Sequence, residues 1–219
     1  MNKSNILIRS VSGIFIGLVF IVAIFLFRPL MYVLLYSIAA LMLYEWYDMT
    51  KSSKLFNSLG QIIIPLPIAA LLLISYIDQT GWLLFTFFTI IWSVDIMAMF
   101  GGKLVQGPKL APKLSPNKTI SGLMIGVLSA IIIVNLLTLI SNYHLPYMLF
   151  TSNILLSIFC LVIGIVAQAS DLLVSYFKRK FNVKDTGTII PGHGGVIDRF
   201  DSIILTAPPL VVLYFISHL

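Results

Sequence analysis

The chain has 219 residues and a net charge of +6; 59% of its residues are hydrophobic and only 10% are charged, against about 25% charged in soluble domains. A mean hydropathy of +1.03 leaves too little polar surface to cover a water-soluble fold of this size. These figures exclude a soluble enzyme, a disordered tail and a free nucleic-acid-binding domain, and they predict one integral-membrane domain over 1–219.

Apolar runs fall at about 11–27, 30–47, 61–77, 82–100, 118–140, 149–174 and 202–218. Most approach the roughly 20 residues that a helix needs to cross a bilayer. Backbone groups cannot stay unpaired in lipid, and no run alternates as a barrel strand would, so the runs are read as helices. The expected fold is all-α: a polytopic membrane helix bundle of about seven transmembrane helices. Lys3 and Arg9 precede the first run, but it ends in Phe27-Arg28-Pro29 with no small-residue cleavage site. It therefore reads as a retained helix rather than a signal peptide.

With the N-terminus in the cytoplasm, all 14 basic residues except Arg28 fall on that side, as the orientation rule requires. The C-terminus is then outside. The chemistry is expected in two cytoplasmic connections, about 101–117 and 175–201. No internal repeat is visible, which weakens a transporter built from inverted halves. The single cysteine, Cys160, sits in an apolar run and reads as a core residue. Gly122 and Gly126 form a GxxxG pair, assigned to helix packing.

The eight acids can be weighed singly. Glu45, Asp48 and Asp78 read as solvated helix ends. Gln168, Asp171, Ser175 and Lys178 are spaced by three, four and three, which places them on one helical face. Asp171 lies about 10 Å deeper than Lys178 along that helix. A carboxylate at such depth costs about 3 kcal/mol to insert, and it normally faces a polar interior or a cation. Asp198 and Asp201 share a face at the start of the last run and point to an oxygen-ligand site for Mg²⁺. Before them, Pro191-Gly192-His193-Gly194-Gly195 lets backbone N–H groups approach phosphate oxygens. With Lys178-Arg179-Lys180 and Lys184-Asp185 ahead of it, that turn reads as a polyphosphate cradle. In the other connection Lys109, Lys113 and Lys118 surround Ser115-Pro116, which reads as a helix N-cap followed by proline in the first turn.

The segment from Ser175 through Lys178-Arg179-Lys180, Lys184-Asp185-Thr186-Gly187 and Pro191-Gly192-His193-Gly194-Gly195 to Asp198-Arg199-Phe200-Asp201 closely resembles the signature of the phosphatidate cytidylyltransferase (CDP-diacylglycerol synthase) family. Lys109 to Thr119 and Asp95 match further stretches of it, so the resemblance covers about 95–202. It implies the conversion of CTP and phosphatidate to CDP-diacylglycerol and pyrophosphate, with Mg²⁺ and room for a second cation. Catalytic roles would fall to Asp171, Lys178, Arg179, Asp198 and Arg199, and metal binding to Asp171, Asp198 and Asp201. Ser115, Lys118, Thr119, Lys184, Asp185, His193, Gly194 and Gly195 would bind substrate. The resemblance also implies a homodimer in a bacterial-type cytoplasmic membrane, its site open to the cytoplasm, with lipid as neighbour and no nucleic acid as partner. Val174 and Ser121 stand where the family commonly has glutamate, and Met99 and Ile120 where it has tyrosine and tryptophan. The rival readings are a non-catalytic subunit related to the enzyme and an ion or solute transporter using Asp95 and Asp171.

Overall fold

A computed structural model of the protein describes residues 3–140, 143, 145, 152–190 and 194–216. The described part of each apolar run is mainly helical, in α1 (Lys3–Phe25), α2 (Arg28–Thr50), the pair α3 (Lys54–Ile63) and α4 (Pro65–Ile77), α5 (Trp82–Leu104), α6 (Ile120–Leu137), α7 (Asn153–Lys180) and, after a four-residue helix α8 (Ile197–Phe200), α9 (Ile203–Ile216). Five helical stretches among the described residues are long and apolar enough to cross a membrane: Arg28–Thr50, Lys54–Ile77, Trp82–Leu104, Ile120–Leu137 and Asn153–Lys180. The apolar helices Gly13–Phe25 and Ile203–Phe215 are shorter.

Proline sets several of the joints. It lacks an N–H, so it sits without loss in the first turn of a helix, where that donor has no partner anyway. Pro29 does this for α2 and Pro65 for α4, where it separates α4 from α3. Pro208 and Pro209 lie inside α9. The buried core runs through Met31, Leu35 and Met42 of α2, Leu71 and Ile74 of α4, Phe87 and Ile90 of α5, and Leu156 and Ile163 of α7. Cys160 is in this core, as expected.

Helices α5 and α6 pack most closely, and the GxxxG pair is the reason. A Cβ on Gly122 would lie 2.6 Å from the Ala98 carbonyl oxygen, and one on Gly126 would lie 2.8 Å from that of Val94. Small residues allow backbones this near in the absence of a hydrophobic drive between helices.

Three expectations change. The connection before α6 is not helical at Ser115. Lys109–Ala111 (β1) and Ser115–Thr119 (β2) form an antiparallel hairpin, pairing Lys109 with Thr119 and Ala111 with Ser115. Pro116 is tolerated because a two-stranded ribbon has free edges. The helix cap is Thr119, whose Oγ1 accepts from the Gly122 N–H at 3.0 Å.

Asp78 is not solvated but 2% exposed. Its carboxylate accepts from the N–H groups of Gly81 and Leu83 at 3.1 and 2.9 Å and from Thr80 Oγ1 at 2.8 Å, capping the start of α5. Glu45 is also buried, at 1% exposure. Asp48, by contrast, is exposed and paired with Lys51 at 2.9 Å.

Candidate active site

Helix α7 carries the polar face read from its spacing. Gln168, Asp171, Ser175 and Lys178 all border a cavity of about 510 Å³, which is closed by the hairpin on one side and by the segment after α7 on the other. The helix ends at Lys180, and Asn182 just beyond it has a φ of 56°, the left-handed value that asparagine tolerates after a helix C-terminus. Lys178, Arg179 and Lys180 in its last turn complement the helix dipole. Chain reversal there brings the following segment back over the cavity. Arg179 Nε donates to the Leu114 carbonyl at 3.4 Å, linking the last turn of α7 to the hairpin.

The cavity gathers most of the residues singled out in the sequence: Ser115, Lys118, Thr119, Asp171, Lys178, Arg179, Lys184, Asp185, Asp198, Arg199 and Asp201 all line it, with Asp95. Lys118 reaches across to Asp171 in an ion pair, and Ser175 Oγ donates to Asp171 Oδ1 at 3.4 Å. Gln168 Nε2 donates to Asp95 Oδ1 at 3.4 Å. Lys109 and Lys113 do not line the cavity; they lie on the exposed part of the hairpin. His193 falls outside the described residues.

Asp198 and Asp201 sit differently from a pair on one helix start. Asp198 is inside α8, and Asp201 follows it in the break before α9. The two are not equivalent chemically. Asp198 Oδ1 accepts from Lys178 Nζ at 2.7 Å, and Oδ2 accepts from the N–H groups of Thr186 and Gly195 at 2.8 and 3.0 Å. Asp198 therefore serves here as the knot that ties the loop to α7. Asp201 is buried, and its one side-chain hydrogen bond among the described residues comes from Ser202 Oγ at 3.4 Å. Burial, with the Asp171 and Asp95 carboxylates close by, holds the Asp201 carboxyl well above the usual range; Lys118 and Lys178 pull the other way.

Among the described residues no three His, Cys, Asp or Glu side chains stand together as a metal-holding group. Asp171, Asp198 and Asp201, the acids expected to hold the metal, nonetheless line one cavity, with Asp198 engaged by Lys178 and two backbone N–H groups. Asp201, a buried carboxylate with a single long side-chain hydrogen bond among the described residues, lines the same cavity as Asp171 and supplies the donor chemistry that suits a hard cation.

Glu45 is the site residue that sequence reasoning missed. Its carboxylate accepts from the N–H groups of Val196 and Ile197 at 2.7 and 2.9 Å and from Thr186 Oγ1 at 2.9 Å. The signal available was an acid set inside an apolar run, one residue before Trp46. Gly195 has the same cause: a Cβ there would lie 2.5 Å from Glu45 Oε2 and 2.1 Å from Thr186 Oγ1. Gly194 has a φ of +86°, which favours glycine. Of the departures from the family pattern, Val174 is buried in the core, Ser121 donates to the Gln106 carbonyl, Met99 lines the cavity and Ile120 is exposed.

A helical membrane protein whose cavity, between two polar connections, gathers five Lys and Arg side chains beside five Asp carboxylates fits the class that handles phosphorylated substrates with bound cations. The model of the cytidylyltransferase family matches residues 52–217. The chain is similar to phosphatidate cytidylyltransferase of Rickettsia felis, 52% identical over 218 residues that cover 100% of this chain and 95% of that one. It is also 35% identical to phosphatidate cytidylyltransferase of Bacillus subtilis over 188 residues, 83% of this chain and 66% of the other. The chain belongs to the cytidylyltransferase family.

Proposed function

We propose that this protein is a phosphatidate cytidylyltransferase: it transfers the cytidylyl group of CTP to phosphatidate, giving CDP-diacylglycerol and pyrophosphate. The observation that carries this reading is the placement of Asp171, Lys118, Lys178, Arg199 and Asp201 around one cavity, in a chain so similar over its whole length to proteins of that name.

The reaction needs no side-chain nucleophile. A phosphatidate oxygen attacks the α-phosphorus of CTP in line; that P–O bond forms as the bond to the β-phosphate's bridging oxygen breaks and pyrophosphate leaves. Phosphomonoesters have a second pKa of about 6, so the attacking oxygen is already largely deprotonated at neutral pH. The protein's task is positioning and charge neutralisation. The cavity has two kinds of wall for two kinds of substrate. Ala98, Met99 and Leu123 of α5 and α6 give an apolar side suited to the lipid, with Lys118 at its polar edge. Lys178, Lys184 and Arg199 give a charged side suited to a nucleoside triphosphate. Asp171 and Asp201 would hold Mg²⁺, which when bound offsets phosphate charge and stabilises departing pyrophosphate.

In this reading the chain crosses the membrane seven times with its N-terminus and cavity at the cytoplasmic face, and it works as a homodimer. The positive-inside distribution supports the orientation. Transfer of label from α-³²P-CTP into an organic-extractable product, dependent on added phosphatidate, tests the activity. Label that stays in the aqueous phase at every phosphatidate concentration would contradict it.

A further inference from the structure

Glu45 stands apart from the cavity it influences. It is on α2, outside the stretch matched by the family model, and it does not line the cavity. Its place is fixed by packing: neighbouring Trp46 donates from Nε1 to the Phe56 carbonyl at 2.8 Å and meets Phe177 edge-on at 5.1 Å. A Cβ on Gly60 would lie 1.9 Å from Trp46 Nε1, so α3 closes directly over this end of α2. From this fixed point the carboxylate takes three donors from two separate strips of chain, Thr186 on one and Val196 with Ile197 on the other. A Cβ on Gly187 would lie 2.7 Å from Glu45 Oε1, so both strips press against the carboxylate.

The same strips carry the charged wall. Thr186 follows Lys184 and Asp185, and Ile197 precedes Asp198 and Arg199. Thr186 also bridges to Asp198: its N–H donates to Oδ2 at 2.8 Å, and its hydroxyl lies 3.2 Å from the same oxygen. One hydroxyl proton faces two carboxylates, and it is nearer Glu45 at 2.9 Å. Giving that proton to Glu45 leaves Asp198 to the two N–H groups and Lys178.

We propose that Glu45 is a positioning residue for the nucleotide side of the site, tying the segments 184–187 and 194–199 together so that Lys184, Lys178 and Arg199 converge on one triphosphate. The inference rests on the cytidylyltransferase reading and adds a residue to it. Glu45→Gln keeps the size and replaces one acceptor oxygen with a donor, which opposes a backbone N–H. Charge-assisted hydrogen bonds to buried groups are strong enough for their loss to be felt at this level.

The test is steady-state pyrophosphate release by Glu45→Gln with CTP and phosphatidate varied separately, beside thermal melting in detergent and hydrogen exchange at 186 and 196–197. The expected result is an apparent KM for CTP raised about tenfold, an unchanged KM for phosphatidate and faster exchange at those amides. Thr186→Val, which removes one donor and leaves both backbone bonds, should show the same asymmetry at about threefold, and it serves if Glu45→Gln does not fold. An unchanged KM for CTP in folded protein, or an equal rise for both substrates, would overturn the proposal. Wild-type protein that releases no pyrophosphate would instead sink the activity reading, and the inference would fall with it.

Discussion

Asp198 and Lys178 make an ion pair whose side chains are 5% and 12% exposed. Removing one partner of such a pair leaves the other charge buried and uncompensated, at a cost of about 3–5 kcal/mol. Asp198→Ala is therefore expected to lower the melting temperature markedly as well as to abolish turnover, because it also strands the Thr186 and Gly195 N–H groups. Asp171 differs: it pairs with Lys118 at the cavity edge, where both side chains remain about one-fifth exposed. Asp171→Ala should leave the melting temperature within a few degrees and reduce kcat by about 100-fold or more, in line with losses of groups that stabilise transition-state charge. Calorimetry and kinetics on the same preparations check the contrast. A comparable loss of stability in both variants would show that Asp171 is structural.

The helices themselves were legible because bilayer length and apolar composition leave little else for those runs to be. The cytoplasmic faces were less so. Ser115-Pro116 carries a helix-start signal, yet pairing with Lys109–Ala111 takes the segment into a strand and moves the cap to Thr119. Glu45 and Asp78 look solvated when read along the chain, since nothing local shows the distant N–H groups that surround Glu45. Asp78 was readable in principle: Asp78-Gln79-Thr80-Gly81 before an apolar run is a capping pattern. Asp78→Ala is expected to cost about 1–2 kcal/mol through loss of that cap, with activity per folded molecule unchanged, as its carboxylate is remote in sequence and contact from the cavity. At the α5–α6 contact, Gly126→Val forces Cβ against the Val94 carbonyl. Such overpacking costs about 1–3 kcal/mol, measurable as reduced melting temperature in detergent. Full stability of the valine variant would contradict the close approach.

At the scale of the molecule, orientation and activity are separate questions. If the hairpin faces the cytoplasm, a cysteine at exposed position 113 should react with an impermeant maleimide in inverted vesicles and not in intact cells. Cys160 is buried and should stay silent in both. The most direct measurement is pyrophosphate release by purified protein with phosphatidate and Mg²⁺, offered each of the four nucleoside triphosphates in turn, with Asp171→Ala and a chelator as controls. The account predicts turnover with CTP that requires phosphatidate and is lost in both controls. Folded protein that releases no pyrophosphate with any of the four, or that does so without phosphatidate, would contradict it.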